Sequence, residues 1–163
     1  MDALGDQHQH HIPLLMRVSV AIEIHRPIAR LFWDSQDYSR RLEWDSYLAQ
    51  ACLLDGRTEA AVGVRSFCKS KAGSGMESRY ISFEPPTHAA VQMTQGPWIL
   101  SKFGGTWRFK SLAERHTEVR FIYHFQCRPA ALAWLVEPLV AWFYRRDMHR
   151  RLVAFKEWTE RPT

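Results

Sequence analysis

The sequence predicts an α+β fold: a curved, seven-stranded antiparallel sheet, with two short helices after its first strand, wrapped around a long C-terminal helix. Three observations predict it. Apolar and polar residues alternate in "RVSVAIEIH", turn residues separate six further strand-like runs between Asp45 and Cys127, and from Pro129 to about Trp158 the spacing becomes helical. At 163 residues the chain is long enough to bury a core without disulfide or metal staples.

In the first run, Val18, Val20, Ile22 and Ile24 alternate with Arg17, Ser19, Ala21 and Glu23, so the even positions face inward. Pro27 then opens "PIARLFWDSQ", where Ile28, Leu31 and Phe32 fall at helical spacing and proline suits the first turn. Asp37 can cap a second short helix, "YSRRLEW", which directs Leu42 and Trp44 to the core. The strand runs that follow are "SYLAQACLL", "AVGVRSFCKS", "MESRYISF", "HAAVQMT", "WILSKFGGTWRFKSL" and "TEVRFIYHFQC". Two prolines in "EPPT" cannot pair inside a central strand and therefore mark a turn. On the last run Val119, Phe121, Tyr123 and Phe125 form the apolar face, which puts His124 outside with Arg120 and Gln126.

The C-terminal segment carries Ala141, Tyr144, Met148, Leu152 and Phe155 as one apolar stripe. Pro138 inside it lacks a backbone donor and predicts a kink near Trp134. Arg145, Arg146, His149, Arg150 and Arg151 form a basic cluster, read either as an anionic-surface patch or as a solvated face favoured by the helix dipole.

Composition narrows the function. Seven tryptophans and 13% aromatic residues exceed the needs of a minimal core, which predicts rings around a cavity between sheet and helix. The net charge of +5 permits anionic partners and requires none. Cys52, Cys68 and Cys127 are odd in number and widely spaced, the pattern of reduced intracellular thiols. "MDALGDQHQHH" lacks the basic start and apolar run of a signal peptide, so the expected location is cytoplasmic. Residues 1–13 are expected to be a disordered tail and residues 14–160 a single domain. "PAALAWLVEPLVAWFY" is 16 residues long and contains Glu137 and Pro138, short of the roughly 20 apolar residues a membrane span needs.

"FGGTWRF" raises the question of a phosphate loop. Such a loop needs glycines between a strand and a helix N-terminus, whereas Thr106, Trp107, Arg108 and Phe109 continue as strand. Gly104 and Gly105 are therefore expected to permit a bulge or bend, with Trp107 and Phe109 on one face and Arg108 and Lys110 on the other. His88, His116, His124 and His149 fall in separate elements, His8, His10 and His11 belong to the expected tail, and no nucleophile motif is present; no metal or cofactor is expected.

The order of elements resembles the helix-grip fold of the SRPBCC (START and birch-pollen-allergen) superfamily, and within it the polyketide cyclase/dehydrase-like proteins. The likeness is carried by "VSVAIEIHRPIARLFWDSQDYSRRLEW", "YISFEPPTHAAV", "GGTWRFKSLAERHTEVRFIYHF" and "FYRRDMHRRLVAFKEW", in that order from about Leu14 to Trp158. It implies a hydrophobic or aromatic small molecule held between sheet and helix, with cyclase/dehydrase-type acid-base chemistry as one outcome. A noncatalytic lipid or coenzyme Q-type carrier at a membrane surface is a second outcome, and a protein or RNA interaction module a third. The expected partners are thus a hydrophobic ligand and peripheral membrane, not DNA, with the chain a monomer or homodimer.

Chemistry in such a cavity depends on strand parity. In "MESRYISF", Ile81 and Phe83 inward would bring Glu77 and Arg79 with them, while Tyr80 inward would bring Met76 and Ser78. Glu77, Arg79 and Tyr80 are the catalytic candidates, the alternative for the first two being an ion pair on the solvent face. Trp44, Met93, Trp98, Phe103 and Met148 suit an apolar cavity wall, and Gln92, Ser101, Tyr123 and Tyr144 are the polar ligand-binding candidates.

Overall fold

The computed structural model describes residues 15–162. The expected tail of residues 1–13 lies outside them. Strand β1 (Met16–Ile24) is followed by helix α1 (Ile28–Gln36) and a single 3-10 turn (Arg41–Glu43). Strands β2 (Leu48–Leu53), β3 (Arg65–Ser70), β4 (Gly75–Glu84), β5 (His88–Gln95), β6 (Leu100–Ala113) and β7 (His116–Cys127) come next. A short 3-10 turn (Ala130–Leu132) leads into the long helix α2 (Ala133–Glu160).

All seven strands form one antiparallel sheet in the order β1-β7-β6-β5-β4-β3-β2. β2 to β7 are a meander in which each strand pairs with the next, as short turns dictate. Only the link from β1 to β2 crosses the sheet, and α1 and the 3-10 turn make that crossing. The sheet curves as a half-barrel whose concave face receives α2, packed mainly on β1 and β7.

The expected faces hold. Val18 and Ile24 of β1, and Val119, Phe121, Tyr123 and Phe125 of β7, are buried beneath Met148, Leu152 and Phe155 of α2. Aromatic rings fill the layer between, with Trp107 stacked on Phe121 at 4.2 Å and Phe155 tilted against Trp44 at 4.7 Å. Leu31 and Phe32 of α1 are fully buried and close one end of the half-barrel.

Four expectations need correction. The second helix is one 3-10 turn, because Asp37 Oδ1 accepts bonds from Ser39 N and Oγ and closes a local turn instead of capping a helix. Just after that turn Trp44 is buried as expected, but within it Leu42 is 50% exposed and Arg41 points inward in its place. The register of β6 runs unbroken through Gly104 and Gly105, which face His124 and Tyr123; its irregularities lie at Leu100/Lys102 and Ser111/Ala113, so of the expected bulge or bend the bulge is ruled out. Finally, Arg151 leaves the basic cluster: it lies three residues beyond Met148, on the inward stripe, and is buried.

Candidate functional site

A cavity of about 150 Å³ lies between the concave sheet face and α2. Its apolar wall includes Met76, Val91, Phe103, Gly105, Trp107 and Phe121. Its polar wall is unusually rich: Tyr38, Tyr47, Tyr80, Tyr123 and Tyr144, four serines, Asp147, Arg41 and Arg151. Strand alternation explains the set, since Ser66, Cys68 and Ser70 of β3 and Met76, Ser78 and Tyr80 of β4 point the same way.

The parity of β4 is thereby decided for the second alternative, with Met76, Ser78 and Tyr80 inward, and with one addition that neither alternative contained. Tyr80 lines the cavity, yet Phe83 also packs inward, against Phe32 at 5.3 Å and Tyr80 at 5.7 Å. The pairing with β5 shifts by one between Tyr80 and Ser82, and that bulge turns Phe83 back to the concave side. Glu77 and Arg79 therefore face outward. Glu77 accepts bonds from Arg65 Nη1 at 3.0 Å and Thr94 Oγ1 at 2.8 Å, and Arg79 is exposed, so neither reaches the cavity.

Of the ligand-binding candidates, Phe103, Tyr123 and Tyr144 line the cavity. Trp44 and Met148 are buried in the core beside it rather than in its wall. Met93 packs at the edge of the core, Gln92 is exposed on the outer face, and Ser101 is tied to the Gln126 carbonyl at 3.1 Å. Trp98 is 68% exposed in the turn before β6, with only its neighbour Pro97 reaching the cavity.

The chemical centre is a buried charge cluster. Asp45 accepts Arg151 Nε at 3.0 Å and Nη2 at 2.8 Å on its two oxygens, and Arg41 Nε at 2.8 Å. Burial raises the Asp45 pKa, but the two guanidiniums outweigh it and hold the carboxyl at about 2. Arg41 also donates to the Ser35 carbonyl at 3.1 Å and lies over the Trp44 ring at 4.6 Å. Two cations thus share Asp45, and Arg151 also lies 3.7 Å from a second carboxylate, Asp147.

Arg151 Nη1 extends this cluster by donating to Tyr123 Oη at 2.7 Å. A phenol that accepts through its oxygen keeps its own proton free to donate, and Tyr123 lines the cavity. Burial pushes the Tyr123 hydroxyl up to about 12 against the pull of Arg151, so it stays protonated. Burial likewise raises Tyr144. Tyr80, by contrast, spends its proton on Gln36 Oε1 at 2.8 Å, and Gln36 is held in turn by Ser35. Tyr80 thus bolts α1 to the sheet.

Asp147 is the one carboxylate of the lining outside the cluster, with Oδ2 3.7 Å from Arg151 Nη1. Its pKa is raised by burial, partly offset by Arg151. A carboxyl poised above its usual range beside a protonated phenol forms a base and acid pair.

Sequence reasoning missed Arg41, Asp45, Asp147 and Arg151. Their signals were present: Arg41 and Asp45 stand at i,i+4, and Arg151 continues the spacing of Tyr144 and Met148.

The chain matches the family model described as "Polyketide cyclase / dehydrase and lipid transport" over residues 16–160. No curated protein sequence matches it. Among solved structures it is similar to an aromatase/cyclase from Streptomyces sp. R1128, with TM-score 0.74 and 15% identity over 90% of this chain and 94% of that one. A START superfamily protein from Mycobacterium smegmatis aligns with TM-score 0.70 and 10% identity, over 88% and 98% of the two chains. A norcoclaurine synthase from Thalictrum flavum, solved with a transition-state analogue, aligns with TM-score 0.68 and 11% identity, over 89% and 94%.

Proposed function

We propose, from the premise that the chain belongs to the polyketide cyclase/dehydrase and lipid transport family of the SRPBCC superfamily, that its cavity binds a small aromatic or hydrophobic molecule bearing a carbonyl. The observation that carries this reading is the Arg151 to Tyr123 hydrogen bond, which aims a protonated phenol into an aromatic-walled cavity. An apolar void would need no such donor, and a hydroxyl held this way favours an oxygen that accepts. The enclosed volume of about 150 Å³ suits one ring, so a longer ligand extends through the mouth.

The same geometry supports acid-base chemistry of the cyclase/dehydrase type. Asp147 takes a proton from the carbon next to the ligand carbonyl, while Tyr123 donates a hydrogen bond to the oxygen where negative charge develops. The Arg151 guanidinium, hydrogen-bonded to the phenol oxygen, stabilises that charge through Tyr123. A lipid carrier shares the binding step and lacks the proton transfer.

A thermal-shift and native mass spectrometry screen with aromatic ketones, quinones, fatty acids and polyketide-like compounds tests binding. Stabilisation by carbonyl-bearing aromatics, weakened in Tyr123→Phe, supports the reading; binding of saturated lipids alone, indifferent to Tyr123→Phe, refutes it. Asp147→Asn then separates the two outcomes. An enzyme loses turnover and keeps binding, whereas a carrier has no turnover to lose.

A further inference from the structure

The outer face of the first half of α2 is apolar to a degree that a solvated helix does not explain. Trp134 is 74% exposed, Leu139 67% and Trp142 60%, with Leu132, Leu135 and Phe143 exposed beside them. Their inward counterparts Val136, Val140, Ala141 and Tyr144 pack on the core, so these rings and chains are surplus to folding. The Arg128 N to Ile99 carbonyl bond, 2.7 Å, ties the exposed Trp98–Ile99 turn to the segment that leads from β7 into the helix and adds it to the patch. Glu137, the one ionisable side chain between residues 129 and 144, is turned away and accepts from Cys127 N at 3.0 Å.

Along the same helix the face then changes character at once. Arg145, Arg146, His149 and Arg150 are all exposed, and Arg146 lies over the Trp142 ring at 5.6 Å. Apolar and tryptophan-rich at one end, basic at the other, the face has the division of a surface that sits in a lipid headgroup layer. Indoles and leucines enter the acyl boundary while arginines meet phosphates. A second copy of the chain would bring the same arginines to a symmetric contact and offer them no carboxylates.

We infer that the first half of α2 and the Trp98–Ile99 turn form a shallow insertion surface for an anionic lipid bilayer, with Arg145, Arg146 and Arg150 reading its charge. No helix among the described residues is long and apolar enough to cross a membrane, so the contact is peripheral. Pro97, Tyr144 and Asp147 of the cavity lining adjoin the patch, which places the cavity beside the lipid. The inference stands on the surface alone, and a cavity with no ligand would leave it intact.

The test uses the full chain with phosphatidylcholine vesicles, with and without phosphatidylglycerol, at low and high salt. Expected are co-sedimentation with the anionic vesicles, weakened by salt, and quenching of tryptophan fluorescence by lipids brominated in the acyl chain. Leu139→Glu should reduce partitioning by about tenfold or more, with the near-ultraviolet circular dichroism unchanged. Trp134→Gln, at the most exposed position, gives a second variant should Leu139→Glu fold poorly. Arg145→Glu with Arg146→Glu should abolish the preference for anionic lipid, and Tyr123→Phe should leave vesicle binding as it is. Failure of the folded wild-type chain to bind either vesicle overturns the inference. So does a dimer that Leu139→Glu dissociates without any lipid binding, which would assign the face to a second copy.

Discussion

Replacing Asp45 by Asn should unfold this protein more readily than any other single loss of one charge in the buried cluster behind the cavity wall. Asp45 is 1% exposed and receives three hydrogen bonds from Arg41 and Arg151, each arginine itself 6% exposed. Asparagine keeps the volume but removes the charge, and turns one acceptor into an amide that faces two donors. Breaking a buried pair this way costs about 3–5 kcal/mol, a fall in Tm of roughly 10 °C for a chain this long.

The pH dependence gives an independent signature. Asp45 is held at about 2 against its ordinary 3.8, so its folded pKa is depressed. Its ionisation therefore contributes stability that is fully present above about pH 4 and is lost as pH falls through about 2. A depression from 3.8 to about 2 corresponds to about 2 kcal/mol. Urea unfolding of both proteins between pH 7 and pH 2 measures both quantities, with the gap between them narrowing by that amount toward acid. A variant within about 1 kcal/mol of the parent at pH 7, or a gap that stays constant to pH 2, would refute the assignment of Asp45 as the anchor of two buried arginines.

The remaining expectations concern the cavity. Tyr123→Phe should weaken a carbonyl-bearing ligand by about tenfold, the worth of one hydrogen bond to a polarised donor, as read by calorimetric titration. Gly105→Val should fold, because a Cβ there meets Tyr123 Cε1 at an ordinary 3.5 Å, but should lose affinity because the added methyls enter the cavity; a variant that fails to fold would return Gly105 to a backbone role. If Asp147 acts as base, turnover should rise with pH through a value above the ordinary carboxylate range, since burial raises its pKa and only the ionised form accepts a proton. Arg79→Ala should leave ligand affinity unchanged in the same titration, its side chain being on the outer face of β4.

Much of this architecture was legible because it rests on periodicity. The alternation in β1 and β7, the "EPPT" turn and the inward stripe of α2 each follow from one residue's relation to its near neighbours in the chain. Legibility failed where a break in period intervened. One bulge after Tyr80 sends both Tyr80 and Phe83 inward, and no alternation rule applied to "MESRYISF" contains that answer. It failed again where charge was read as solvent-facing, as with Arg151 among its basic neighbours.

From the sequence alone follow the α+β class, the strand count, the long final helix and the face of most strands, because burial of apolar area acts on local patterns. The tertiary structure alone decided which polar groups meet. Asp45, Arg151 and Tyr123 are drawn from the loop after the 3-10 turn, α2 and β7, more than a hundred residues apart between Asp45 and Arg151. Their union depends on the sheet curving around the helix, and a buried charge finds its partner only once that packing excludes the water that would otherwise solvate it.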